Sequence, residues 1–383
     1  MTSHSNHDAR MSARSTMLPT EVLDRIVQLT DPIAPQDLRT FVSEVVHGFD
    51  KRELEAVSGV LDEVLDTEER TVRDVLGRGG EHVPLHHYRA CRAEDAEGSW
   101  DFRPAHPSVG ALNRGLMDGL LGPGGSRVAG IEGLTEAVGA GKRFLFISNH
   151  ESVYDLVVLA YALGVAGLQS LVENLTFFVN PKIFNMPFVN FFICKSLGLI
   201  KMPQSPRIAA NESVMEPDEI QRRAGHAFGV AGARLTAGDS LVIFPEGLRN
   251  EGVLHRFARA YLDLLRPESL ATNGLSSDDV YLVPWAHSGV RTLEATSAAP
   301  PQVSLSFGEP VAPERFFELC GGHSVGVAGH LAAYLVARLL PEERRGLYGA
   351  TPQTYLDHPH YRQRIQQHTL DDIRSARSLS DKL

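Results

Sequence analysis

Apolar positions fall into two textures along the chain. From residue 20 to 77 they recur at helical spacing. In KRELEAVSGVLDEVLDTEERTVRDVLGRGG, Leu54, Val57, Leu61, Val64, Val72 and Val75 form one stripe, which Gly77 and the glycines after it stop. EVLDRIVQLTD and PQDLRTFVSEVVHGFD precede it with the same texture. Residues 80–106 read as a long connection rich in His, Arg and acids, and PSVGALNRGLMDGLL as a further helix closed by GPGG. From about residue 127, short solid apolar runs alternate with helical stretches. FLFIS, SLVIFPEG, VYLVPWAHS and QVSLSFGEPV read as strands, with SLGLIKM as a further short one. DLVVLAYALG, DEIQRRAGHAFGVAGARLTAG, LHRFARAYLDLLR and VGVAGHLAAYLVARLLP read as helices. Strands alternating with helices predict an α/β fold, a mainly parallel central sheet flanked by helices on both faces. The expected organisation is a disordered arm over 1–17, an N-terminal helical domain over 18–126, the α/β domain over 127–348, and a polar C-terminal tail over 349–383.

Composition narrows the classes. With 383 residues, 43% hydrophobic and 22% charged, the chain is globular in character. A net charge of −10 without a concentrated Lys/Arg cluster argues against nucleic acid as a partner, and against docking on anionic lipid by charge alone. Cys91, Cys194 and Cys320 are far apart and form no CxxC pair, which points to a reducing compartment and away from cysteine-held zinc. The N-terminus has no apolar h-region, so no secretory signal is expected. Leu156–Val172 is 17 residues without a charge, short for a bilayer and bounded by Asp155 and Glu173, and reads as a buried helix.

The chemistry gathers where FLFISNHESVYDLVVLAYALG passes from strand to helix. His150 and Asp155 are five residues apart, about 500° on an ideal helix, so they share no helical face. They meet only if His150 lies in the turn before the helix. There Asp155 can hold one imidazole nitrogen and leave the other as a base. Ser148 or Asn149 is the expected helix cap. The helix N-terminus favours an anion, and the carboxyl ends of parallel strands are where ligands bind. On this motif alone, a histidine that only caps and packs is the alternative.

Further motifs carry a resemblance. SNHESVYD resembles the NHxxxxD block of the glycerolipid acyltransferases, which acylate glycerol-3-phosphate and lysophosphatidate. FPEGLRN, residues 244–250, resembles their FPEGxRS block. YLVPWAHS, with Val283 and Pro284, and VSLSFGEPV are similar to the late Val-Pro strand and the FGxP stretch. Order and spacing agree over residues 127–312, and the layout is similar to that of soluble plastid-type glycerol-3-phosphate acyltransferases. The resemblance implies acyl transfer from acyl-CoA or acyl carrier protein to a phosphorylated glycerol. His150 is the implied base and Asp155 its orienter. Arg249 would fork onto the acceptor phosphate, Glu246 would accept from an acceptor hydroxyl, and Gly247 allows close backbone approach. The middle block LGLIKMPQSPR departs from the family, with no arginine at the usual spacing, so Lys201 or Arg207 stands in.

No cofactor or metal is expected. His82, His86 and His87 lack an acidic or Cys partner at ligand spacing. GAGKR lacks the first Gly and the Ser/Thr of a phosphate-cradling loop, and there is no GxSxG elbow. LTFFVNPKIFNMPFVNFFICK, broken by Pro181 and Pro187, reads as an acyl groove, a membrane contact or plain core. The expected location is cytoplasmic with reversible membrane contact. The competing reading is a lipid- or phosphate-binding protein that keeps the fold and lacks catalysis.

Overall fold

A computed structural model describes residues 102–105, 117, 121, 126–181, 183, 196–203, 217–247, 249–250, 252–293, 302–350 and 367–383. The expected arm and most of the expected helical domain lie outside these residues, as do Arg207 and the phenylalanines from Phe184 to Phe192. The chain runs β1 (Ser126–Ala129), α1 (Glu132–Gly139), β2 (Arg143–Ile147), α2 (Asp155–Val165), α3 (Gln169–Glu173), β3 (Leu175–Val179) and β4 (Gly198–Lys201). It continues with α4 (Pro217–Ala237), β5 (Ser240–Ile243), α5 (Pro267–Thr272), β6 (Val280–Ser288), β7 (Val303–Phe307), α6 (Pro313–Cys320), α7 (Val325–Ala337) and α8 (Gln367–Ser380).

The strands form one seven-stranded sheet in the order β1-β7-β6-β2-β5-β3-β4. All neighbouring pairs are parallel except β6 with β7. The expected α/β architecture is the observed one. The apolar runs of β2 and β3 follow from their position, since a strand covered on both faces has no solvent side to keep polar. On one face, Phe144 and Phe146 pack under α2 with Trp285 and Phe307. On the other, Leu145 and Ile147 pack with Ala231 and Leu235 of α4 and Leu331 and Leu335 of α7. Phe177 and Phe178 of the Phe-rich stretch belong to these cores.

Three expectations change. The uncharged run 156–172 is not one helix: Gly167 takes a positive φ of 82° between α2 and α3, a conformation glycine adopts without steric cost. LHRFARAYLDLLR is helical only as a 3-10 turn over Ala260–Leu265. Upstream of that turn the amides bond elsewhere: Leu254 N to Arg344 O at 2.9 Å, Ala258 N to Pro245 O at 2.8 Å and His255 N to Glu246 Oε2 at 2.8 Å. The polar tail contains α8, which packs along α7 and buries Ile373, Ala376 and Leu379. Its polar residues mask a stripe at three-residue spacing.

Candidate active site

β2 lies between β5 and β6, and all three run in the same direction. Their carboxyl ends therefore open at one edge of the sheet. β2 leads into Ser148, Asn149 and His150; β5 leads into Phe244, Pro245 and Glu246; β6 ends on His287 and Ser288. This brings together three segments that are remote in sequence, at the edge where open α/β sheets bind ligands.

His150 sits in the turn before α2, as the five-residue spacing requires. Its Nδ1 lies 2.8 Å from Asp155 Oδ2. The same oxygen accepts the amides of Glu151 at 2.7 Å and Ser152 at 3.0 Å. Asp155 is fully buried at the first position of α2, so its carboxylate ties the loop to the positive end of the helix. Neither Ser148 nor Asn149 caps α2; Asp155 and Ser152, whose Oγ accepts Tyr154 N at 3.1 Å, close that turn. In the neutral tautomer that donates Nδ1–H to the carboxylate, Nε2 carries no proton and can accept. It has no hydrogen-bond partner among the described residues, on a side chain one-fifth exposed. The ring stacks on Phe244, with centroids 4.6 Å apart.

Glu246 supports this loop from below. Its Oε1 accepts His150 N at 2.8 Å and Asn250 Nδ2 at 2.8 Å, and its Oε2 accepts His255 N at 2.8 Å and Asn250 Nδ2 at 3.1 Å. Asn250 N donates in turn to His150 O at 2.7 Å. Burial pushes the Glu246 carboxyl up to about 8, against the pull of His255 N, His150 N and Asn250. Both oxygens meet protein donors and the side chain is buried. This geometry suits a strut beneath His150 better than the expected contact with an acceptor hydroxyl.

The remaining expected residues lie around this centre. Gly247 closes the Phe244–Gly247 turn with φ 74° and a 3.1 Å bond to Phe244 O. Arg249 is exposed and precedes Asn250, whose N donates to His150 O. Lys201 is buried at the end of β4, on the same sheet edge. Two strands, β5 and β3, lie between β4 and β2, three strand spacings or about 14 Å. Among the described residues no cluster of three or more His, Cys, Asp or Glu stands close enough to hold a metal.

The sequence assigns no site role to His287, Glu151 or Arg344, and to Asn149 only that of a cap. His287 is fully buried, and its Nε2 bonds Asn149 O at 2.8 Å and lies 3.4 Å from Asp155 Oδ2. Burial lowers its pKa, so the ring is neutral. Asn149 answers it on both sides, accepting His287 N and donating to His287 O, each at 3.1 Å. Glu151 and Arg344 form an ion pair beside them. A polar residue at the end of the apolar run VYLVPWAHS was the signal for His287; nothing local marks Arg344.

The fold and the site together define a domain for group transfer, with an oriented imidazole at the carboxyl ends of parallel strands. Residues 127–288 match the model of the Acyltransferase family. This stretch forms an acyltransferase domain and belongs to the glycerolipid acyltransferase family. No curated protein matches the chain.

Proposed function

We propose that the chain moves a fatty acyl group from acyl-CoA or acyl carrier protein to the hydroxyl of glycerol-3-phosphate or 1-acylglycerol-3-phosphate, in phospholipid synthesis. The observation that carries this is the His150 Nδ1–Asp155 Oδ2 contact of 2.8 Å, on an imidazole whose Nε2 has no partner among the described residues. In the reaction, the acceptor O–H gives its proton to His150 Nε2 while its oxygen bonds to the thioester carbonyl carbon. As the tetrahedral intermediate collapses, the C–S bond breaks and the leaving sulfur takes that proton. Asp155 stabilises the imidazolium between these steps. Arg249, next to Asn250 in the chain, holds the acceptor phosphate with a charge-assisted fork, and Lys201 or Arg207 supplies a second cation. The product is a lipid, and reversible contact of a cytoplasmic protein with a membrane would deliver it. No described helix is long and apolar enough to cross one.

The test is the purified protein with labelled acyl-CoA or acyl carrier protein and a panel of phosphorylated and neutral acceptors. Transfer to a phosphorylated glycerol, lost in folded His150→Ala, is the expected result. Binding of these ligands without transfer would favour a binding protein on the same fold. Full turnover in folded His150→Ala would overturn the mechanism.

A further inference from the structure

One guanidinium reaches all three segments that build the site. Arg344 ends a short 3-10 turn, Glu342–Arg344, that follows α7, outside the matched stretch 127–288. Its NH2 pairs with Glu151 Oε1 in the His150 loop. Its Nε donates to Gly252 O at 3.0 Å in the segment after FPEG, and its NH1 lies 3.5 Å from His287 O at the end of β6. Its own carbonyl accepts Leu254 N at 2.9 Å. The partner it neutralises, Glu151, is buried and also accepts Asn149 Nδ2 at 3.1 Å.

Glu151 is held at both ends. Its side chain is fixed by Arg344, and its amide makes the 2.7 Å bond to Asp155 Oδ2, the same oxygen that orients His150. A carboxylate buried here needs a cation, because an uncompensated charge would draw the loop toward water. Movement of residue 151 carries the peptide that joins it to His150. The loop that holds the base is therefore anchored from a part of the chain beyond the family match.

We propose that Arg344 is a positioning residue for His150, acting through Glu151, so that the turn after α7 belongs to the catalytic unit. Its structural arm stands alone, and its kinetic arm rests on the acyl-transfer reading. The experiment compares the full-length chain with Arg344→Lys, Arg344→Ala and Glu151→Gln. Hydrogen exchange of the peptide covering 148–156 is the structural readout, with the β5 peptide as internal reference. Faster exchange at 148–156 with β5 unchanged is expected in all three variants. In the folded fraction, Arg344→Ala should lower kcat about ten- to hundredfold, with the donor KM within about twofold. Millimolar guanidinium should restore part of that loss, which a general loosening of the fold would not allow. If Arg344→Ala does not fold, Arg344→Lys decides, since it keeps the charge and loses the three-way reach. Unchanged exchange at 148–156 in the folded variants overturns the proposal, as does raised exchange with wild-type kcat. If the unaltered protein transfers no acyl group and exchange still rises, the anchoring stands and the acyl-transfer reading falls.

Discussion

Asp155→Asn removes one charge from the centre of the site and leaves its shape. Asp155 Oδ2 lies 2.8 Å from His150 Nδ1. At an effective dielectric constant of about 20, two unit charges at that separation interact with about 6 kcal/mol. The pair carries that interaction only while His150 is an imidazolium, between taking the acceptor proton and giving it to the leaving sulfur. An amide oxygen in the same place keeps a neutral hydrogen bond of about 1 kcal/mol. His150 is one-fifth exposed, and solvent weakens the field further. The net loss is roughly 3–5 kcal/mol of transition-state stabilisation, or about 10²- to 10⁴-fold in kcat. If the amide NH2 turns toward Nδ1 instead, the imidazole carries its proton on Nε2 and no base remains. Glu151 N and Ser152 N keep an acceptor when the oxygen faces them, so the protein should stay folded. Thiol release from acyl-CoA, measured on protein with wild-type circular dichroism and Tm, gives kcat and the donor KM. A donor KM within about threefold of wild type, with kcat down by at least a hundredfold, is expected. A folded Asp155→Asn protein within tenfold of wild-type kcat would refute the His150–Asp155 mechanism.

Arg249→Ala should raise KM for a phosphorylated acceptor by roughly ten- to hundredfold, the loss of one charge-assisted fork of about 1.5–3 kcal/mol, and leave a neutral acceptor unaffected; acceptor titrations at saturating donor check it. Burial raises Glu246 from 4.5 to about 8. The folded protein thus holds a proton that the unfolded chain has released between those values, and stability falls as pH rises through the window, by at most about 1.4 kcal/mol per pH unit. Urea denaturation from pH 5 to 9 should show this slope as a difference between wild type and Glu246→Gln, and parallel curves would contradict it. Liposome flotation should show binding that survives high salt and is lost in Phe188→Asp with Phe192→Asp; recovery only by detergent would mean a spanning segment.

Much of the site can be read from the sequence because the chemistry is local. His150 and Asp155 lie within one strand–turn–helix unit, so their spacing says where they must sit in order to meet, in the turn before the helix. The sheet is largely readable because burial on both faces leaves a solid apolar run in β2; the short β1, and β3 inside the Phe-rich stretch, are not among the strands predicted. What stays hidden depends on contacts between remote segments. FPEG marks an acid in a turn, but only the β2–β5 pairing reveals that Glu246 accepts His150 N, with His255 N and Asn250 filling the rest of the carboxylate. LHRFARAYLDLLR has the right apolar spacing for a helix, yet the amides of Leu254, His255 and Ala258 bond remote groups in place of a helical ladder. Tertiary partners override propensity there. α8 was missed because a helix needs only a narrow apolar stripe, and Ile373, Ala376 and Leu379 are sparse among charges.

The outer edge of the sheet has a consequence for synthesis. Among the described residues β1 pairs with β7 alone, and their registers join Ser126 to Val303 and Ala129 to Ser306. The ribosome must add well over a hundred residues between these partners, which takes on the order of ten to thirty seconds at roughly 5–20 residues per second. Throughout that interval β1 has emerged without its ladder, and β6 has one side uncovered once it forms. Unpaired strand edges of this kind are sites where nascent chains join each other. A helper that shields the early strands, or a pause that delays β6 until β7 is ready, would raise the yield of this protein without altering a single contact in its finished form.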